Sequence, residues 1–258
     1  MLGFVNICHP DYADPVAAAL GKQALENLRD GGVAVFEIPE PVTDHKSALR
    51  AARAMVENDV DGVILFYGAF VLCSTAMTVV TEARLPLLHW GVPMMVRDGL
   101  LSTTGSYVAF SMFNGTLNRL NIPHENLIAE PDSEAALQKV RDFAAAAETV
   151  KRLRRARVGL VGYTSMSIYP GTFDHVMMRY LIGPEIEHFD SYTLINRAEA
   201  VKDIEGALAL YSAAARFPEG APEVMVERAA KLYVALKELC REHDLGAITV
   251  KCQYEFSK

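Results

Sequence analysis

Arg157–Asp174 reads RVGLVGYTSMSIYPGTFD, and this stretch decides the fold. Val158, Leu160 and Val161 form a short apolar run bounded by Arg157 and Gly162, as a buried strand requires. The segment Gly162–Gly171 holds Pro170 and two glycines, so it reads as a loop at the strand's carboxyl end, where open α/β sheets place ligands. A helix is expected to begin near Thr172. A strand restarting here, after a long charged helix, divides the chain into an amino-terminal α/β domain, residues 1–155, and a second α/β domain, residues 156–258.

Upstream, strand and helix signals alternate. Gly3–Ile7 reads as a strand. Pro15–Leu28 reads as a helix with proline in its first turn and Asp14 placed to cap it, closed by Gly31 and Gly32. Val33–Ile38 is a second strand, and Asp44–Glu57 a helix with Leu49, Ala52 and Val56 on its apolar face. Asp61–Phe66 is continuous in hydrophobicity, as a buried parallel strand should be. A helix around Ser74–Ala83 and a strand at Leu85–Trp90 follow. Thr103–Leu120 is expected to be helical, Leu127–Ala129 to be a short edge strand, and Ser133–Arg155 to be a long helix capped by Ser133.

Downstream of Val158 the pattern continues with a helix at Thr172–Tyr180 and a strand at Ile186–Phe189. Helices at Arg197–Ala215 and Pro222–Glu242 and a last strand at Ala247–Val250 complete it. Parallel neighbours need crossover connections, so this order implies parallel sheets covered by helices. The fold class expected is α/β, with two Rossmann-like (flavodoxin-like) parallel-sheet domains in tandem. The second domain is expected to be incomplete, because GAITVKCQYEFSK carries a strand into a polar loop with no closing helix.

The 258 residues suffice for two domains that each bury a core. With 51% hydrophobic and 22% charged residues the chain has a globular balance. A formal net charge of -7 argues against nucleic acid or an anionic membrane as partner. Cys8, Cys73, Cys240 and Cys252 have no CxxC spacing and read as reduced thiols. The amino terminus lacks the pattern of a secretory signal, and no apolar span reaches the roughly 20 residues of a membrane helix, so a cytoplasmic protein is expected.

Several residue groups could carry chemistry. His9, Asp11 and Tyr12 follow the first strand, a position suited to ligand contact, though the same residues also read as a polar turn leading to Asp14. Cys73 could be a thiol at a helix amino terminus or a small packed residue. His89, beside the single tryptophan Trp90, reads as a packed core histidine. Glu185, Glu187, His188 and Asp190 resemble a metal cluster, but strand alternation puts Glu187 and His188 on opposite faces, so a solvated strand edge is expected. Lys151–Arg157, KRLRRAR, reads as cations complementing a helix carboxyl end rather than as a phosphate site. Neither GxGxxG, GxxxxGK[ST] nor HExxH occurs.

VGLVGYTSMSIYPGTFD followed by IEHFD resembles the second domain of the L-fucose isomerase and L-arabinose isomerase superfamily. LFYGAFV at Leu65–Val71 and LPLLHW at Leu85–Trp90 are similar to stretches of its first domain, and KCQYEF to the segment before its catalytic carboxylate. The resemblance implies an aldose–ketose isomerase that moves a proton between C1 and C2 through an ene-diol, with Mn²⁺ holding two sugar oxygens. It places the metal-binding Glu, Asp or Glu, and His beyond Lys258, so this chain is expected to be part of a longer protein, to hold no catalytic or metal residue, and to be inactive alone.

The residues it implies are substrate-binding: Met166 in the second-domain turn, Gln253 near sugar hydroxyls, His9 and Asp11 in the first-strand loop, and Phe70 as an aromatic contributed across a subunit boundary. The implied partners are a small sugar and further copies of the chain in a homo-oligomer, with no nucleic acid and no membrane. The chain departs from the family pattern at His9, where a glutamine is expected, and at Gly68–Ala69, where a His-Thr pair is expected. Two alternatives stand beside it: a sugar-binding module using a cleft of two such domains without chemistry, and a racemase-like enzyme needing two opposed thiols, of which Cys73 could be one.

Overall fold

The computed structural model describes residues 1–12, 15–97, 99–164, 168, 172–214, 222–251 and 256. The chain divides into two compact units, Met1–Lys151 and Arg152–Lys258.

In the first unit, strands β1 (Leu2–Ile7), β2 (Val35–Glu37), β3 (Gly62–Tyr67), β4 (Leu87–Gly91) and β7 (Glu125–Ile128) form one parallel sheet in the order β2-β1-β3-β4-β7. Helices α1 (Pro15–Asp30), α2 (His45–Glu57), α3 (Cys73–Ala83) and α4 (Ser106–Arg119) make the crossovers, and α5 (Glu134–Arg155) follows β7. This is the flavodoxin-like order, and the direction of winding reverses between β1 and β3.

Alternation along β3 explains the core. Val63, Leu65 and Tyr67 face a layer with Ala48, Met55, Val79, Phe110 and Phe113, drawn from α2, α3 and α4. Ile64 and Phe66 face the opposite layer, with Leu20, Leu28, Trp90, Leu137 and Phe143. Covered on both sides, GVILFY is buried at every position, the continuous apolar run of an interior parallel strand.

The apolar stripe of α2 includes Ala52 as expected but is otherwise centred on Ala48, Ala51 and Met55, with Leu49 half-buried and Val56 53% exposed. Small residues on that stripe let α2 approach the sheet, where Met55 fills the space above Gly3. Asp44 caps α2 in a capping box with Ser47. Ser133 accepts from Ala136 N at 3.2 Å at the start of α5, whereas Asp14 lies outside the described residues. An antiparallel hairpin, β5 (Met95–Arg97) and β6 (Leu100–Ser102), was not anticipated; Gly99 supplies its positive φ of 77°.

In the second unit, β8 (Arg157–Val161), β9 (Glu185–Phe189) and β10 (Ala247–Val250) form a parallel sheet in the order β10-β8-β9. Together the two sheets make tandem Rossmann-like folds. Helix α6 spans His175–Leu181 rather than starting at Thr172, because Asp174 is the residue that accepts from Val176 N at 2.8 Å and Met177 N at 3.0 Å. The single helix expected over Arg197–Ala215 is two, α7 (Ser191–Ala200) and α8 (Glu205–Ala214). Val201 turns extended after α7, and Asp203 accepts from Glu205 N at 3.1 Å to open α8. Helix α9 (Glu223–Glu242) leads to β10. No described helix is long and apolar enough to cross a membrane.

Candidate functional site

The carboxyl ends of β1 and β3 flank the winding reversal of the first unit, where side chains from two loops can face one ligand. His9 follows β1 and Phe70 follows β3, and the His9 amide donates to the Phe70 carbonyl at 2.7 Å. The Phe70 amide in turn donates to the Thr104 carbonyl at 3.0 Å, tying in the loop before α4. Gly105 opens α4 with φ 82°, and a Cβ there would stand 2.8 Å from Phe70 Cβ, so glycine is required for this close approach.

On that backbone frame the side chains converge. Tyr12 lies edge-on to His9, ring centroids 5.9 Å apart, and edge-on to Phe70 at 5.8 Å. The Asp11 amide donates to His9 Nδ1 at 3.2 Å, which in the neutral ring leaves the proton on Nε2 as a free donor. The Asp11 carboxylate stands 3.6 Å from Nδ1 and is 82% exposed, open to a ligand hydroxyl. The arrangement can grip a polyol: two aromatic surfaces, one N–H donor and one carboxylate acceptor on a small exposed platform.

Three of the residues expected from sequence, His9, Asp11 and Phe70, are thus brought together; Met166 and Gln253 lie outside the described residues. Gly68 stands in the same loop as Phe70, and a Cβ there would meet Asn6 Oδ1 at 2.5 Å and the Ala17 carbonyl at 2.9 Å. A histidine at this place has no room.

His89 is fully buried and stacked on Phe110 at 4.2 Å. Its Nε2 donates to Asn126 Oδ1 and its Nδ1 meets no partner. Burial lowers its pKa to about 4, partly offset by the Asn126 bond, so the ring is neutral packing near pH 7. Cys73, the first residue of α3, packs against the neighbouring core cluster as a half-buried thiol. Of the basic run, Lys151 near the end of α5 pairs with Asp59 at 3.1 Å and Asp61 at 2.8 Å, and Arg157, opening β8, pairs with Glu187.

A second group of rings stands toward the carboxyl edge of the other sheet. His188, near the end of β9, and His175, opening α6, have Nε2 and Nδ1 3.3 Å apart. Tyr163 follows β8 with its ring 6.4 Å from His175 and 6.3 Å from His188, and Phe173 lies edge-on to His175 at 4.7 Å. Strand parity sends Glu187 to the other face, where it pairs with Arg157 and His243; Arg157 is the main cause of its lowered pKa. Strand parity fixes the face of His188 but not its partner, His175. The signal was the Asp174–His175 pair, a cap followed by a ring held over the end of β9. Among the described residues no group of three or more His, Cys, Asp or Glu is placed to hold a metal ion.

No family model matches the chain. Over 178 residues, 69% of its length, the chain is 21% identical to a curated protein, the sulfoquinovose isomerase of Alkalicoccus urumqiensis. The match covers 40% of that protein, so the chain spans less than half the length of this relative. The similarity is distant and is to a sugar isomerase.

Proposed function

We propose that this chain is the sugar-binding α/β portion of an aldose–ketose isomerase of the L-fucose and L-arabinose isomerase superfamily. The observation that carries the reading is the convergence of His9, Asp11, Tyr12 and Phe70 at the winding reversal of a chain distantly similar to sulfoquinovose isomerase. Tyr12 and Phe70 offer apolar surface to the C–H face of a sugar, His9 Nε2–H donates to a hydroxyl, and Asp11 accepts from another.

In the reaction the C2 proton leaves to a base, the O2 proton passes to O1 through the ene-diol, and a proton returns at C1. The described residues do not fit Mn²⁺, a hard cation that takes oxygen ligands, since no such cluster is present among them. On this reading the cation and the base come from outside the described residues, and the chain's own part is to bind and orient the sugar. The working form is a homo-oligomer, which light scattering checks directly.

The test uses the polypeptide carrying this chain, Mn²⁺ and D₂O, with sulfoquinovose, L-fucose and L-arabinose as substrates. Turnover should place deuterium on the carbon that receives the returning proton, and His9→Asn and Phe70→Ala should each raise KM at least about tenfold with a smaller change in kcat. A sugar-binding module without chemistry is the second reading, favoured by the lack of a three-residue metal cluster among the described residues. Sugar binding that neither exchanges deuterium nor responds to Mn²⁺ supports that module, and failure of all three sugars to bind defeats both readings.

A further inference from the structure

The ring group of the second unit has a geometry that side-chain packing does not require. His175 Nδ1 and His188 Nε2 approach to 3.3 Å with ring planes inclined at 70°, on two elements joined by a tight turn through Gly183 and Pro184. Two zinc–nitrogen bonds of about 2.0–2.1 Å at a tetrahedral angle place their nitrogens about 3.3–3.4 Å apart. The two nitrogens therefore stand at the separation a chelate needs, although they now face each other as a hydrogen-bonded pair.

We propose that His175 and His188 form a two-nitrogen site for a late first-row divalent cation, Zn²⁺ or Cu²⁺, with the remaining coordination positions left to water or an oxygen ligand. Neither ring must give up another protein bond to bind. His175 Nε2 has no partner and can carry the proton, leaving the Nδ1 lone pair for the metal. His188 is exposed, so its Nδ1–H can be hydrated while a small rotation about χ2 turns Nε2 from the neighbouring ring toward a shared cation.

Tyr163, nearly equidistant from both rings, and Phe173 at the edge of His175 flank the position, which stays open to water. Imidazole nitrogens suit zinc and copper and bind hard Mn²⁺ poorly, so the site is chemically distinct from the oxygen-ligated cation of the isomerase reading and does not rest on it. Only two protein ligands are supplied, which predicts modest affinity and an open coordination sphere, the condition for a cation that also meets a small ligand.

Titration calorimetry of the 258-residue chain with Zn²⁺ and with Cu²⁺ in a non-chelating buffer tests this. One equivalent should bind, copper more tightly than zinc and manganese most weakly. His175→Ala and His188→Ala should each weaken zinc at least about tenfold, a ligand counting for no less than an outer-shell partner. His45→Ala, which removes an exposed ring bonded to Thr78, should change nothing. Proton NMR of the unmodified chain gives a reading independent of folding in the variants: zinc should shift the ring resonances of His175 and His188 together. Absence of binding by either metal, undiminished affinity in His188→Ala, or shifts confined to other histidines overturns the proposal and leaves a plain hydrogen-bonded pair.

Discussion

Every residue of β3 and β4 is buried, whereas β8, β9 and β10 fully bury only Gly159 and Val161 among them. Both units use the same winding, a first strand with parallel neighbours on each side. They differ in what covers the sheet. The first unit has two apolar layers, one drawn from α2, α3 and α4 and the other from α1 and α5. Among the described residues the second shows one small cluster, around Val161, Leu194, Ala198, Ala235 and Leu239, and α6 leaves Val176, Tyr180 and Leu181 77%, 80% and 69% exposed. Topology sets where a ligand can sit, while burial sets how firmly the frame holds it. His9 of the first unit thus stands on a frame packed on both faces, and His175 and His188 of the second on a thinner one.

The largest test of this contrast is unfolding. Trp90 is the single tryptophan and lies wholly inside the first unit, so its fluorescence reports that unit alone, while far-UV circular dichroism reports both. In urea the dichroism should change first, with fluorescence following at higher denaturant. Phe66→Ala, which empties a ring packed 5.2 Å from Trp90, should lower the stability of the first unit by about 3–5 kcal/mol. Leu239→Ala should cost about 2–3 kcal/mol in the second unit and leave the fluorescence midpoint unmoved. Coincident transitions in the parent chain would break the comparison.

A somewhat smaller effect comes from His89, buried in the first unit. Its folded pKa of about 4 lies below the ordinary value of 6.5, so protonation favours the unfolded chain. The stability it contributes is complete above pH 6.5 and is lost as pH falls toward 4, a difference of roughly 3 kcal/mol. The fluorescence midpoint should fall across that window, and His89→Gln, which cannot gain a charge, should flatten the fall. An unchanged slope in the variant would remove His89 from the account.

The strand and helix order was legible because buried parallel strands such as GVILFY are continuous apolar runs and because Gly, Pro and Asp punctuate them. Helix starts were less so. The break at Val201–Ile204 follows from Asp203 accepting a backbone N–H, and an aspartate inside an apolar pattern carries no mark distinguishing cap from surface residue. The turn after β1 declared His9 and Asp11 as candidates by position alone. What sequence could not supply was convergence: Phe70 lies far along the chain, and only pairing of β1 with β3 brings its carbonyl to His9. The pair His175 and His188 was hidden for the same reason, since strand parity fixes a face but not what stands above it.

Helix caps give the finest probe of the difference between the units. Ser133 caps α5, whose Leu137, Val140 and Phe143 are built into the core, so fraying its first turn disturbs the whole first unit. Ser133→Ala should therefore lower the global fluorescence midpoint, by about 1 kcal/mol. Asp203 opens α8, which buries only Ala207. Loss of that cap has little packing to propagate through, and Asp203→Ala should speed amide exchange within 205–209 while leaving both unfolding midpoints in place. Equal shifts of the midpoints by the two substitutions would mean that α8 is coupled to its unit as tightly as α5 is to its own, and the thin-frame description of the second unit would have to be given up.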